Sequence, residues 1–147
     1  ALLLSIQKRP LLGYGYHAFW QGLNGESANV IITTHWVFGY SHNGFLELAL
    51  SLGALGLGLF ALSLVNGIRD AFLNFRVNRP AYIDLYLAFL IYNVFYNFSE
   101  ASFVTGFSLI WFLYVVSCVV LDREVRLTAN KKQVSATSST ERVLAAS

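Results

Sequence analysis

His42 and Asn43 stand together at the start of a long apolar run, and Glu47 follows five residues after His42. A neutral imidazole near pH 7 can take a proton from a hydroxyl. A carboxylate about one turn further on can orient a partner or pair with a cation such as Arg9. An ionisable group inside an apolar helix is costly and reads first as functional. Asn93 and Asn97 are four residues apart and share one helical face, which Glu100 extends three residues later. Tyr92 and Tyr96 form the adjacent stripe. These groups are placed to line a cavity shared with His42. Each also has a plainer reading. His42 could cap a helix or anchor an interface, and Glu47 could be a shallow carboxyl reaching water. The asparagines could be interhelical glue worth about 1 kcal/mol per contact. Asp84 suits a helix N-terminus, where negative charge is favoured.

Other constellations carry less. His17, His35 and His42 match no common metal-ligand spacing, and no Cys or Asp supports them, so no metal is expected. Gly13-Tyr14-Gly15 lacks the preceding strand and the third glycine of a nucleotide-binding turn, and no cofactor is expected. The single cysteine, Cys118, lies in an apolar run and reads as a packing residue. A net charge of +2 excludes a strongly basic nucleic-acid surface.

The elements that position these residues follow from hydropathy. The chain of 147 residues is 56% hydrophobic and 12% charged, with a mean hydropathy of +0.55. That balance is too apolar for an ordinary soluble domain. Charges almost vanish over residues 44–65, 81–98 and 103–121, and each run approaches the ~20 apolar residues that cross a bilayer core as helix. The expectation is an all-α polytopic membrane protein with three transmembrane helices, at about 43–65, 81–98 and 103–121. Ala49/Gly53 and Ala54/Gly58 are small pairs that permit close helix approach. Residues 1–12 read as a short apolar helix ending at Lys8-Arg9-Pro10. Residues 13–41 read as a long loop rich in aromatics, 66–80 as a loop, 99–102 as a tight turn, and 122–147 as a polar, disordered tail. Pro80 suits the first turn of the second long helix. The chain opens on Ala1 and holds no Met, so residues 1–121 are expected to be the C-terminal part of a larger membrane domain.

Arg69, Arg76 and Arg79 mark 66–80 as cytoplasmic, together with the basic tail. The 13–41 loop has no Lys or Arg, so it and Glu100 should face the periplasm. Lys8 and Arg9 are then basic residues on the outer side, placed to hold an anionic ligand.

Three strings bring a family into view. Arg9-Pro10-Leu11-Leu12-Gly13-Tyr14-Gly15, with Phe19-Trp20 soon after, resembles the entry to the periplasmic loop of the O-antigen ligase and polysaccharide polymerase superfamily. His42-Asn43, nine residues and then Gly53-Ala54-Leu55-Gly56 is similar to that superfamily's signature. Tyr92-Asn93 through Asn97-Phe98-Ser99-Glu100 looks like its exopolysaccharide-production, succinoglycan polymerase-like branch.

The resemblance, which covers residues 1–121, implies an activity. Such enzymes join a glycan carried on polyprenyl pyrophosphate to an acceptor hydroxyl outside the bacterial inner membrane, without metal or nucleotide. His42 would match the essential histidine. Arg9, Asn43, Glu47, Asn97 and Glu100 are the expected substrate-binding residues. The family's arginine sits in a Gly-Arg motif that Arg9 does not match, so no catalytic arginine carries over. The partners implied are the lipid-linked donor, a glycan or lipid acceptor, and membrane lipid, with no nucleic acid. The piece alone is expected to be inactive. The alternatives are part of a transporter, which would need broken helices and a midplane site, and a non-catalytic membrane scaffold.

Overall fold

The computed structural model describes residues 1–78, 82–103 and 108–146. Its elements are α1 (Leu2–Lys8), a 3-10 turn (Gly22–Asn24), α2 (Ala28–Thr34), α3 (Gly44–Asn78), α4 (Tyr82–Ser99) and α5 (Leu109–Ala146). No strand occurs among the described residues, so the fold is all-α. The three long helices pack on one another, and α1 lies against α3. Their shared core holds Leu48, Phe60, Ala71, Ile83, Leu90, Phe103, Tyr114 and Leu121. Phe60 and Phe103 are the closest ring pair at its centre, 4.4 Å between centroids. Gly67 brings α3 close to Leu90 on α4 and Cys118 on α5, because a Cβ there would press on the Leu90 side chain.

One helix among the described residues, over Gly44–Arg76, is long and apolar enough to cross a membrane, with a mean hydropathy of 2.2. The other two expected spans do not reach that level. Asp84, Asn93 and Asn97 dilute α4. In α5, only Leu109–Leu121 precede the charges that begin at Asp122. Residues 104–107 of the expected third span lie outside the described residues, as does the proline expected to open the second.

The expected loop over 66–80 is helical as far as Asn78. Two of its polar residues, Asp70 and Asn74, are buried inside the bundle, while Asn66, Arg69 and Arg76 stay exposed on the helix surface. The Asn74 amide donates to the Asp70 carbonyl at 2.9 Å and to the Leu121 carbonyl at 3.1 Å. The tail is helical too, as part of α5. It contains no Gly or Pro to stop a helix, and Asp122 and Arg126 pair one turn apart at 2.8 Å.

Helix α3 is not continuous. Gly53 has φ 63° and ψ −156°, which breaks the helix in two. Few residues other than glycine adopt that conformation. A break normally strands backbone groups on both sides. Here the segment Pro10–Gly15 crosses the break as a strap and takes them up. The N–H groups of Tyr14 and Gly15 donate to the carbonyls of Leu50 (2.7 Å) and Ser51 (2.9 Å). In return, Ala54 and Leu55 donate to the carbonyls of Pro10 (2.8 Å) and Leu11 (3.1 Å). Gly53, expected to let two helices approach, instead admits the turn at Pro10–Gly13.

The 13–41 segment holds more order than a loop. Phe19, Val30 and Leu50 form a second small core, joined by Leu2, Ile6, Tyr14, Trp20 and Phe38. Burial of these rings fixes the segment on the N-terminal end of α3.

Candidate functional site

The site forms where this small core meets the start of α3. Asn43 is the N-cap: its Oδ1 accepts from the N–H groups of Phe45 (3.1 Å) and Leu46 (3.0 Å), and its Nδ2 donates to the Phe98 carbonyl (3.1 Å). This pins the end of α4 beside the start of α3. Both ends of the Asn43 amide thereby serve the structure.

Just before the cap, His42 has φ 52°, in the left-handed region. Histidine tolerates that region better than most residues, yet the conformation is uncommon. The His42 ring packs against Tyr40, 4.2 Å between centroids, and edge-on to Phe38 at 6.3 Å. Its Nδ1 lies 3.7 Å from Glu100 Oε2, and both side chains are about half exposed. That distance exceeds a direct hydrogen bond.

Glu47 is buried on the first turns of α3. The Trp20 indole N–H donates to both its carboxylate oxygens, at 2.9 and 3.0 Å, and the Ser41 N–H donates to Oε2 at 2.9 Å. Glu47 therefore staples two separate parts of the loop, one of them adjacent to His42. It meets no cation among the described residues; donors from neutral groups satisfy it instead.

Beside His42 opens a cavity of about 400 Å³, lined by Ala1, Leu2, Leu3, Trp20, Val30, Thr34, Phe38, Tyr40, Ser41 and His42. The wall is aromatic and aliphatic, with His42, Ser41 and Thr34 as polar points, a pattern common to ligand pockets. Trp20 and Tyr40 were not singled out from sequence as site residues. The signal was present in the aromatic density of 13–41, but spacing alone does not select two rings from seven.

The other predicted residues divide. Glu100 comes to His42 as expected of a shared site. Asn97 does not reach it, being fully buried. Its Nδ2 donates to the Asn93 carbonyl (2.8 Å) and Ser102 Oγ (2.7 Å), and its Oδ1 accepts from the Ser102 N–H (2.9 Å). Asn97 thus closes the turn that presents Glu100, and Gly44 packs directly on its side chain. Arg9 lies away from the cavity, its guanidinium 5.0 Å from the centre of the Tyr14 ring. Lys8 pairs with Glu26 at 3.2 Å. Among the described residues, His17, His35 and His42 are not gathered into a metal-binding group.

Comparison of the chain with known protein families, with curated proteins and with solved structures finds no match in any of the three.

Proposed function

We propose that this chain is the acceptor-side part of a bacterial inner-membrane glycan polymerase or ligase. In this reading α3, α4 and α5 span the bilayer, the 13–41 segment faces the periplasm, and the far end of α5 is cytoplasmic. The observation that carries it is His42 beside Glu100, at the edge of an aromatic-walled cavity, at the N-terminal end of the one helix among the described residues that is apolar enough to span.

The cavity wall contains no Lys or Arg, so these residues are assigned the acceptor hydroxyl rather than the pyrophosphate. Trp20, Phe38 and Tyr40 stack on sugar faces. His42 takes the hydroxyl proton as the oxygen attacks the anomeric carbon of the donor sugar. The bond from that carbon to the polyprenyl pyrophosphate breaks, and the pyrophosphate leaves with the electron pair. Glu100 stabilises the imidazolium that forms. The test is transfer of glycan from a polyprenyl-pyrophosphate donor in membranes carrying the intact protein. Polyprenyl pyrophosphate should be released one for one with glycosidic bonds formed; donor that stays intact in active preparations of acceptor would sink the reading.

The break at Gly53 favours a second reading, a transporter, since such proteins use interrupted helices at their binding sites. The strap argues against it. Four backbone groups that a transported ion or solute would meet are already taken by Pro10, Leu11, Tyr14 and Gly15.

A further inference from the structure

Ser63, on the second half of α3, lies where two cavities along the α3–α5 seam meet. Towards the outer end runs an apolar groove of about 290 Å³, walled by Leu52, Gly56, Leu59, Phe60 and Trp111. In the other direction opens a polar cleft of about 480 Å³, holding Asn66, Arg69, Asp70, Asp122 and Arg126. At the junction Ser63 Oγ and the Tyr114 hydroxyl share a hydrogen bond of 2.8 Å. An apolar slot continued by a charged cleft has the shape of an amphiphile.

We propose that this seam binds one phospholipid whose headgroup carries a phosphate and a primary ammonium, of the phosphatidylethanolamine type. The phosphate sits between Arg69 and Arg126, the ammonium on Asp122, and one acyl chain in the groove. This site rests on the membrane-embedded reading above, and is separate from the cavity at His42.

Charge selects this headgroup. Two guanidiniums and two carboxylates line one cleft, so a ligand of both signs fits better than an anion alone. Asp70 is buried and receives Arg69 through Nε (3.1 Å) and Nη2 (2.9 Å). Asp122 is half exposed, which makes it the carboxylate within reach of a ligand. Arg126 holds Asp122 through Nε alone, at 2.9 and 2.8 Å, which keeps both Nη groups for a phosphate, a geometry guanidinium favours. A quaternary ammonium has no N–H to give Asp122, and a headgroup without an ammonium leaves that carboxylate to Arg126 alone, beside the arriving phosphate.

Leu48, Phe103 and Tyr16 complete the wall of the groove, and the basic end of the seam lies where the membrane reading favours Lys and Arg.

The test starts with alkaline carbonate extraction of membranes containing the intact chain. Release into the supernatant would overturn the membrane reading and this site with it. Retained protein is then purified in detergent and offered equal amounts of phosphatidylethanolamine, phosphatidylcholine and phosphatidylglycerol, with bound lipid read by native mass spectrometry. The expected preference for phosphatidylethanolamine is about tenfold, the effect of one charge-assisted hydrogen bond. Asp122→Asn with Arg126→Gln should abolish the preference, and Leu59→Trp, which fills the groove, should reduce retention of all three lipids. Arg69→Gln, at an exposed side chain, serves the same purpose if the double variant does not fold. Carbonate-resistant protein without headgroup preference, or folded variants that keep it, would overturn the lipid site alone.

Discussion

Gly13 and Gly53 meet backbone to backbone, forty residues apart in sequence. A Cβ on Gly13 would overlap the Leu50 carbonyl, and one on Gly53 would overlap the Leu11 carbonyl. Both residues also have positive φ, 64° and 63°. The four hydrogen bonds that heal the break in α3 depend on this approach. Backbone groups freed by a helix break need partners, and here a strap of the same chain supplies them. The strap fixes the N-terminal half of α3, and with it the position of His42 just before that helix.

Gly53→Ala is expected to destabilise the protein by about 2 kcal/mol or more, since a strained backbone costs roughly 1–3 kcal/mol before the overlap is counted. Gly58→Ala, five residues on, has open space around the new methyl and should stabilise by up to about 1 kcal/mol through helix propensity. Chemical denaturation of the two variants checks the contrast. Equal effects would mean that Gly53 is an ordinary helical glycine.

Glu47→Leu removes the acceptor of the Trp20 indole and the Ser41 N–H together. Each donor left buried and unpaired costs about 1–3 kcal/mol, so the loss should reach about 2 kcal/mol or more. Glu47→Gln, which keeps one acceptor oxygen, should cost less. Fluorescence of Trp20, with Trp36 and Trp111 replaced by Phe, should shift to the red in the leucine variant as the ring is released. Unchanged emission would contradict the staple.

Asn43→Ala should act on stability, not on ligand recognition. Loss of an N-cap costs about 0.5–2 kcal/mol, and the bond to the Phe98 carbonyl is lost with it. Asn43→Asp restores the cap acceptor but not the Nδ2 donor, so its stability should fall between the two. Denaturation midpoints for the three proteins test this order.

The sequence made the helical class and the place of His42 at the start of the most apolar helix readable, because long apolar runs are local properties. It also singled out Gly13 and Gly53, but for separate reasons, a string that resembles a family's loop entry and a helix contact. Only three dimensions show that one glycine exists for the other. The polar residues of 66–78 read as a loop because spacing does not reveal that Asp70 and Asn74 face a partner helix. Asn97 read as a ligand for the same reason: its partner, Ser102, lies across a turn. Arg9 looked unpaired, since a ring five residues along the chain is not an evident counterpart for a cation.

His42 is the residue on which the chemical reading stands. The decisive number is the rate of glycan transfer from a polyprenyl-pyrophosphate donor by the intact protein carrying His42→Ala, with Glu100→Gln alongside and donor binding measured separately. Loss of a general base costs about 10²- to 10⁴-fold, so transfer should fall at least a hundredfold in the alanine variant with donor affinity unchanged. Glu100→Gln should fall less, because it acts through the ring. Transfer at the wild-type rate by a folded His42→Ala protein would contradict the assignment.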